Sequence, residues 1–302
     1  MSLPITPLVS VVIPTRNRKE LLRRALNSVF AQTYSRLQII IVDDASTDGT
    51  EAMVAALRDD RIHYLRHPTS RGGAAARNTG IRAATGAVIG FLDDDDEWES
   101  EKVFEQLKVL RDYPAVICAS SISGDLSRLK GKRIVDLADL RAGKFTAGGT
   151  GVLMLAAEVA KHTLFDESLP RYQDWDFFIR VGQKSQIAYL NKALVRYNQG
   201  SHLRITNSLI ACPYGELEQQ FLMLHKHRSF FGPAWFERHM SRALLYGVKH
   251  RQDKWRVLAK VIRSYGPINV GSALSIRLRA ILRAKIDSMR HISRLLERRS
   301  AT

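Results

Sequence analysis

Four consecutive aspartates form the part of this sequence best suited to chemistry. Asp93, Asp94, Asp95 and Asp96 directly follow the apolar run 87–92. Adjacent carboxylates repel one another, so such a cluster tends either to raise some of its pKa values or to bind a cation. Oxygen ligands at a strand end suit Mg²⁺ or Mn²⁺ and leave coordination positions for phosphate oxygens. A solvated acidic turn before a helix is an equally open interpretation of this stretch alone.

Five apolar runs predict the strands that must position these carboxylates. The runs cover residues 9–13, 37–42, 62–65, 87–92 and 115–119, and helical patterns cover 18–31, 48–57, 73–84 and 99–111 between them. Strands that alternate with helices indicate an α/β fold. We therefore expect a mainly parallel, Rossmann-like sheet with helices on both faces, joined by right-handed crossovers.

Polar side chains follow each of the first four runs. They are Pro14, Thr15, Arg16 and Asn17 after the first, Asp43 and Asp44 after the second, Arg66 and His67 after the third, and the aspartates after the fourth. Ligands of an open parallel sheet bind beyond the carboxyl ends of its strands. Four polar strand ends on one edge therefore favour a polar cleft over four unrelated turns.

Small residues and two arginines occupy positions 70–80, which follow the third run and open a helix. Small residues let the backbone approach a ligand, and Arg71 and Arg77 can reach phosphate oxygens. The stretch is neither a GxGxxG fingerprint nor a GxxxxGK phosphate loop. A tightly packed alanine-rich helix explains the alanines equally well, but it explains the arginines less well.

Four blocks of sequence carry a resemblance to a known family. They are VSVVIPTRNR at 9–18, VDDASTDGT at 42–50, AARNTG at 75–80 and FLDDDDEW at 91–98. In order and spacing they resemble the nucleotide-binding half of family 2 glycosyltransferases of the GT-A fold, of the type that builds bacterial surface glycans. The resemblance implies an inverting, metal-dependent transfer of a sugar from a nucleotide diphosphate sugar, for which we expect a UDP-linked donor and Mn²⁺ or Mg²⁺.

The resemblance also implies a set of site residues. It assigns Thr15 and Asp44, together with Asp43, to the base and ribose. It assigns the metal of the diphosphate to a DxD motif formed by Asp93 and Asp95. The other positions expected at the nucleotide sugar are Pro14, Asn17, Arg71, Arg77 and Asp94.

Asp174 is the candidate catalytic base. Its spacing from Phe177 and Phe178 places it in the first turn of an amphipathic helix, where a capping role is the simpler interpretation. In the resembled family this position matches the Asp of a Glu-Asp motif, which deprotonates the acceptor hydroxyl. Inversion needs such a base and no enzyme nucleophile. Asp176 is the alternative base. Gln173 replaces the usual Glu, which leaves open the acceptor preference and a catalytically inactive module.

Three further residues have two open interpretations each. Trp98 and Trp175 either stack against a sugar or lie in the core. His202 either contacts the metal or diphosphate, or is a solvated loop residue. The glycine-rich positions up to 151 are interpreted as a connecting region that contains a short helix at 136–141.

The positive charge belongs to the C-terminal part of the chain. Of the formal net charge of +16, residues 211–302 carry 18 Lys and Arg against 6 Asp and Glu. A helix predicted at 278–296 has apolar residues on one side and arginines opposite. It suits an anionic membrane surface, or packing on the catalytic domain with solvated arginines. A nucleic-acid-binding protein is the non-enzymatic alternative, and no specific nucleic acid partner is expected.

Domain organisation and location follow from these patterns. We expect a catalytic domain at 1–208, with a nucleotide-sugar half at 1–120 and an acceptor half at 121–208, and a basic helical segment at 209–302.

Two cysteines without CxxC spacing favour a cytoplasmic, reducing setting. No uncharged run reaches the ~18 residues of a membrane span. A peripheral position on the inner face of the membrane would suit a glycan or lipid-linked glycan acceptor. A nucleotidyltransferase is the alternative class of enzyme. It would need a Gly-rich, Lys-containing N-terminal loop, which the sequence PTRNR at 14–18 does not supply.

Overall fold

The computed structural model describes residues 3–121, 133–142, 149–198, 212–245, 248, 252–269 and 271. The chain divides into two compact units, Met1–Ser201 and His202–Thr302. Each unit is built from its own elements.

The first unit is built on one sheet, which has nine strands in the described part of the chain. The strands are β1 (Val9–Thr15), β2 (Leu37–Asp43), β3 (Ile62–Arg66), β4 (Val88–Phe91), β5 (Glu97–Trp98), β6 (Ala115–Ser120), β7 (Ile134–Val135), β8 (Leu153–Ala156) and β9 (Ile187–Arg196). Their order is β3-β2-β1-β4-β8-β6-β9-β5, and β7 also pairs with β9. β2 and β4 are buried along their whole length, as continuous apolar runs predict for the centre of an α/β sheet.

The sheet is parallel where the sequence predicts it and mixed elsewhere. β3, β2, β1 and β4 pair with one another in parallel. β8 enters between β4 and β6 and runs antiparallel to both. The short strands β5 and β7 run antiparallel to β9. A mainly parallel α/β sheet is therefore confirmed, and the reversed strands are a feature that apolar patterning cannot reveal, because the pattern carries no strand direction.

Helices cover both faces of this sheet. They are α1 (Lys19–Phe30), α2 (Thr50–Ala55), α3 (Gly73–Ala83), α4 (Lys102–Leu110), α5 (Leu137–Ala142), α6 (Ala157–Thr163) and α7 (Gln173–Lys184). α1 buries Leu22, Ala25, Leu26 and Val29, which share one face at helical spacing. α3 lies unusually close to β1: a Cβ added at Gly80 would be 2.3 Å from Cγ1 of Val12. The small residues of α3 thus serve helix–sheet packing.

Two details differ from the predicted elements. The apolar runs at 187–190 and 193–197 predict two separate strands, but the structure has the single strand β9, whose register against β6 shifts around Ala119. An irregular register lets one strand contain the polar residues that interrupt its apolar pattern. The two-residue strand β5, which pairs with the end of β9, is too short to predict from periodicity.

The described part of the second unit is helical. It contains α8 (Leu222–Lys226), α9 (Arg228–Phe231), α10 (Pro233–Leu244) and α11 (Lys254–Tyr265). The Gly-Pro pairs at 232–233 and 266–267 predict breaks between helices, and both breaks are present: Gly232 and Gly266 each have φ of +79°. The helix predicted at 278–296 lies outside the described residues. Within them, no helix has the length and hydropathy needed to cross a membrane.

Candidate active site

The four aspartates form a turn at the carboxyl edge of the sheet, referred to below as the aspartate turn (Asp93–Asp96). It links the end of β4 to β5, and the backbone N–H of Asp96 closes it on the carbonyl oxygen of Asp93 at 3.1 Å. Asp94 and Asp96 are buried, whereas the Asp93 and Asp95 side chains are 24% and 17% exposed. The four carboxylates therefore occupy different environments.

Asp93 is held from two sides. Arg77 of α3 donates a hydrogen bond from Nη2 to Asp93 Oδ1 at 2.6 Å, and the Thr150 hydroxyl approaches the same oxygen at 3.2 Å. The neighbouring Gly149 has φ of +57°, and a Cβ there would lie 3.2 Å from Asp93 Oδ2. Only a residue without a side chain leaves this carboxylate uncrowded. The turn at 149–152 and α3 thus position Asp93 together.

Asp94 and Asp95 share a different arginine. Arg18 contacts Asp94 Oδ1 at 3.0 Å and Asp95 Oδ2 at 3.2 Å. The Thr15 hydroxyl at the end of β1 donates to Asp94 Oδ2 at 2.8 Å. Burial raises the pKa of Asp94 to about 6, although Arg18 and Thr15 favour its ionised form. Asp94 is therefore a buried support of the turn, and Asp95 is the more accessible carboxylate.

Asp44 organises the loop that precedes α3. Its Oδ1 accepts hydrogen bonds from His67 Nδ1 at 2.8 Å and the Arg71 backbone at 2.7 Å. Its Oδ2 accepts from Ser70 Oγ at 2.7 Å and the Gly72 backbone at 2.8 Å. Burial alone would raise the pKa of Asp44, but these four hydrogen bonds outweigh it and lower the pKa to about 2. Both oxygens of Asp44 are occupied by the loop.

Asp43 and Asn17 connect neighbouring loops at the same edge. Asp43 accepts a hydrogen bond from the Ser46 backbone at 2.7 Å and another from the Tyr64 hydroxyl. Asn17, with φ of +52°, accepts from the Thr47 backbone at 2.7 Å. These contacts fix the loops after β1 and β2 against each other.

The remaining predicted nucleotide-sugar residues lie on the rim or in the sheet. Pro14 is half-buried in β1 and is paired in register with Val42. The Arg71 side chain is 49% exposed and contacts Glu167 at 3.2 Å. Thr15, Asp43, Asp44, Asp93, Asp94 and Asp95 thus lie at one edge of the sheet, as the strand ends predict, but they form separate hydrogen-bonded groups. His202 lies outside the described residues.

Asp174 lies in the first turn of α7, as predicted from its spacing. Its Oδ1 accepts a hydrogen bond from the Trp175 backbone at 2.8 Å, and no hydrogen bond to Oδ2 is found among the described residues. Burial raises the pKa of Asp174, the Trp175 N–H and Arg77 act to lower it, and the charge of Asp93 raises it further. Asp174, Arg77 and Asp93 therefore belong to one electrostatic group. A raised pKa brings a carboxylate closer to the range in which a general base works.

Asp176 has a structural partner instead. It is fully buried and pairs with Arg180, with Nε and Nη2 of Arg180 both 2.7 Å from Oδ2 of Asp176. Arg180 also donates to the backbone carbonyls of Thr163 and Leu164. The pair therefore joins α7 to the end of α6. Gln173 donates from Nε2 to the Leu169 carbonyl at 2.7 Å, so its amide closes the loop before α7.

Both tryptophans considered as sugar platforms lie in the core. Trp98 is 4% exposed, and a Cβ at Gly90 would be 3.0 Å from its ring. Trp175 is 9% exposed and donates from its indole N–H to the Leu140 carbonyl at 3.1 Å. The sugar-stacking interpretation is therefore wrong for both residues, because neither ring face is open. The ring of Trp98 instead packs against the buried ammonium of Lys102, whose Nζ is 3.9 Å from the ring centroid.

Sequence reasoning missed three side chains that hold the carboxylates. Arg18 lies in the sequence block at 9–18, but the aspartate turn that it contacts lies more than 70 residues away along the chain. Thr150 stands in a glycine-rich run that we interpreted as a connection, and Tyr64 lies within an apolar strand. For Thr150 and Tyr64, the sequence did contain a signal: a hydroxyl group that can form hydrogen bonds stands inside a glycine-rich or an apolar run.

A divalent metal fits the carboxylates of the aspartate turn. Asp93 and Asp95 supply oxygen donors, are the more exposed pair and lie beside the sheet edge. In the described parts of the chain, no group of three or more His, Cys, Asp or Glu side chains forms a complete metal site. Mg²⁺ and Mn²⁺ are commonly held by one or two carboxylates, with phosphate oxygens and water completing the coordination.

One family model is similar to the part of the chain that contains this arrangement. Residues 10–150 match the family model described as Glycosyl transferase family 2. The match spans just under half of the chain. The matched segment contains β1 to β6, the aspartate turn and Thr150, so it includes every residue that contacts Asp93 and Asp94 in the hydrogen bonds above.

Two curated relatives show how far the similarity extends. The chain is 27% identical to the Escherichia coli (strain K12) protein WcaA, whose name assigns it to colanic acid biosynthesis as a glycosyl transferase. That match covers 278 residues, 85% of this chain and 93% of WcaA. The chain is 36% identical over 103 residues to WfgD of Escherichia coli, a UDP-Glc:alpha-D-GlcNAc-diphosphoundecaprenol beta-1,3-glucosyltransferase. This match covers 34% of the present chain and 41% of WfgD, so the chain spans less than half the length of that relative.

Solved structures share the fold across most of the chain. Staphylococcus aureus TarS 1-349 in complex with UDP-GlcNAc matches with a TM-score of 0.60 and 16% identity, over 90% of this chain and 92% of that one. A second match is the mannosyltransferase PcManGT from Pyrobaculum calidifontis in complex with GDP-Man and Mn²⁺. Its TM-score is 0.60 and its identity 19%, over 93% of this chain and 83% of that one. The GT-A fold predicted from the sequence is thereby confirmed.

Proposed function

We propose that this protein is an inverting, metal-dependent glycosyltransferase. It would move a sugar from a nucleotide diphosphate sugar, UDP-linked in our proposal, to a hydroxyl of a glycan or lipid-linked glycan. The observation that carries the proposal is the group formed by Asp93, Arg77 and Asp174. In it, one arginine donates a hydrogen bond to a carboxylate at the donor edge of the sheet and interacts electrostatically with a carboxylate suited to act as a base.

The donor side of the proposal has support from the carboxylates and from the structural neighbours. Asp93 and Asp95 would hold Mn²⁺ or Mg²⁺, which when bound would offset the negative charge developing on the departing diphosphate. TarS is solved with UDP-GlcNAc, and PcManGT with GDP-Man and Mn²⁺. We assign the nucleoside to the loops after β1 and β2, at Pro14, Thr15, Asn17 and Asp43. Asp44 would act there through the loop 70–72, because its own oxygens are already occupied.

The acceptor side centres on Asp174. We assign it the removal of the proton from the attacking hydroxyl, at Oδ2, since Oδ1 is held by the Trp175 N–H. Fixing one oxygen orients the other, which is how a positioned base contributes to catalysis. Asp176 is committed to Arg180 and is not a candidate. The diphosphoundecaprenol acceptor in the name of WfgD supports a lipid-linked acceptor in cell-envelope glycan synthesis, reached at the inner face of a membrane.

Donor binding is tested by thermal shift. The protein is heated with UDP, UDP-Glc, UDP-GlcNAc or GDP-Man, each with and without Mn²⁺. We expect one uridine compound at about 100 times its Kd to raise Tm by about 5–10 °C, and only with metal. Asp95→Asn should remove the metal dependence, whereas the exposed Asp112→Asn should keep it. The proposal fails if no nucleotide sugar stabilises the protein in a metal-dependent manner.

Chemistry is tested separately with Asp174→Asn. This variant should bind the donor as the wild type does and lose transfer of radiolabelled sugar to membrane lipids by at least about a hundredfold. Asp112→Asn again serves as the matched control. Loss of donor binding in Asp174→Asn would show that the residue belongs to the donor site. A product that keeps the anomeric configuration of the donor would contradict inversion.

The nucleic-acid alternative makes the opposite prediction. A protein that uses its basic segment to bind nucleic acid would bind random duplex with strong salt dependence and would not respond to nucleotide sugars. The same thermal-shift panel therefore separates the two functions.

A further inference from the structure

Helix α11 presents an exposed apolar strip in the described part of the second unit. Trp255 is 72% exposed and Ile262 is 38% exposed, and Ile268, just beyond the helix, is 86% exposed. Trp255 and Ile262 are seven residues apart, so they lie two turns apart on the same side of α11. The helix already has a core-facing side, formed by Val257 and Val261, which are at most 1% exposed. The strip is thus a second apolar surface on the same helix.

Cations occupy the sector next to this strip. Arg256, Lys260 and Arg263 are exposed. Their spacing of four and three residues places them on one side of the helix, because each residue turns it by roughly 100°. α11 contains no acidic residue, and Lys254 Nζ lies 5.8 Å from the centroid of the Trp255 ring. An exposed indole beside an aliphatic side chain, flanked by cations of one sign, is the composition of a helix that lies on an anionic bilayer.

We propose that α11 and Ile268 form a docking surface for the anionic headgroup region of a lipid bilayer. Trp255 and Ile262 enter the interface between headgroups and acyl chains, and the three cations contact lipid phosphates. The inference rests on the proposed function only for its biological reason, namely that a lipid-linked acceptor brings its enzyme to a membrane. The surface itself is carried by the exposed side chains and their charges.

Other occupants fit this surface less well. A nucleic acid duplex would use the cations through its phosphates but has no apolar surface to cover an indole and an isoleucine. A second copy of the chain would bring the two cationic sectors together, and like charges across an interface are unfavourable. Of these three occupants, the anionic bilayer is the one that satisfies both the apolar strip and the adjacent positive charge.

Flotation of the full-length chain tests the proposal. The vesicles contain three parts phosphatidylcholine to one part phosphatidylglycerol, with pure phosphatidylcholine vesicles as the comparison. We expect binding to the anionic vesicles, a loss of about tenfold for Trp255→Ser/Ile262→Ser and a loss of about a hundredfold for Arg256→Gln/Lys260→Gln/Arg263→Gln. All these side chains are exposed, so circular dichroism should show folded variants.

Matched variants distinguish a surface from a general charge effect. Phe104→Ser removes another exposed aromatic side chain, 48% exposed, in the first unit, and Arg23→Gln/Arg82→Gln/Arg111→Gln removes three exposed cations there. Both should float like the wild type. Brominated lipids should quench fluorescence in the wild type, and the quenching should be much weaker in Trp255→Phe.

Four outcomes would overturn the proposal. They are no flotation of the wild type, unchanged flotation of both α11 variants, an equal loss in the matched cation variant, and a dimer in sedimentation that Trp255→Ser/Ile262→Ser dissociates. Salt-sensitive binding of random duplex that the α11 cation variant loses, without any flotation, would assign the surface to nucleic acid. None of these measurements uses sugar transfer, so failure here leaves the donor test of the proposed function standing.

Discussion

Arg77 on α3 donates a hydrogen bond to Asp93 at 2.6 Å, and its guanidinium also lies within the electrostatic field of Asp174. The Arg77 side chain is only 15% exposed, and its Nε is buried without a hydrogen-bond partner among the described residues. One cation thus serves two carboxylates that come from opposite halves of the predicted catalytic domain. Any change to Arg77 should affect both.

Arg77→Met should slow transfer and shift its pH profile. Without the cation, the pKa of Asp174 rises further, so the acidic limb of the rate profile should move to higher pH. Loss of a partly exposed ion pair should cost about 1–2 kcal/mol in the free energy of unfolding. The measurement is kcat against pH with urea unfolding alongside. Arg77→Lys should restore part of the profile, and the exposed Arg82→Met on the same helix should leave it unchanged.

Asp44→Asn should weaken the loop before α3 and flatten the acid dependence of stability. The folded pKa of Asp44 is about 2, below its unfolded value of roughly 4, so ionised Asp44 stabilises the protein above about pH 4. That contribution, about 2 kcal/mol, is lost as pH falls towards 2. Urea unfolding between pH 2 and 6 should show this slope in the wild type and in Asp112→Asn. If Asp44→Asn kept the full slope, the four hydrogen bonds would not explain the pKa.

Lys102→Met should remove a dependence of stability on alkaline pH. Lys102 is fully buried, and burial lowers its pKa to about 8, against an unfolded value near 10.4. Between these values the unfolded chain binds more protons, so stability should rise with pH by up to about 3 kcal/mol. The difference between wild type and variant in urea unfolding at pH 7 and pH 10 isolates this contribution. The exposed Lys108→Met on the same helix should preserve the rise.

Gly149→Ala should disturb Asp93 and weaken donor binding. The left-handed backbone at Gly149 makes alanine cost about 1 kcal/mol, and the added Cβ would lie 3.2 Å from Asp93 Oδ2. Calorimetric titration with the donor found by thermal shift, in the presence of Mn²⁺, should show a higher Kd. Gly215→Ala, where a Cβ meets nothing within 4 Å, is the matched control. A lower Tm with unchanged Kd would mean that the 149–152 turn supports the fold and not the donor site.

The parallel half of the sheet could be predicted because its strands are continuous β-branched runs. The order β3-β2-β1-β4 could not be predicted, because right-handed crossovers fix the face on which each connecting helix lies and not the order of the strands. β8 could not be placed in the same way, since an apolar run of four residues is compatible with either direction. β5 escaped prediction because two residues carry no periodicity, and its pairing partner lies about a hundred residues away.

The candidate site likewise has features that could be predicted from the sequence and features that could not. Strand ends predicted which carboxylates share the edge of the sheet, because the carboxyl ends of parallel strands meet there. Which arginine pairs with which aspartate could not be predicted: Arg77 and Asp93 are 16 residues apart, whereas Arg18 and Asp94 are 76 apart. The exposure of Trp98 and Trp175 was equally inaccessible, since burial depends on the packing of elements that a sequence presents only in order.

The aspartate turn has its two ends anchored in strands with very different partners. β4 pairs with β1 and β8, whereas β5 pairs, among the described residues, only with the last residues of β9, at Val195 and Arg196. Asp96 also accepts a hydrogen bond from the backbone of Asn198. During synthesis on the ribosome, β1 to β4 emerge about a hundred residues before that second anchor. A nascent chain that ends near residue 121 would therefore contain the strands of the nucleotide half while its carboxylates still lacked their final geometry.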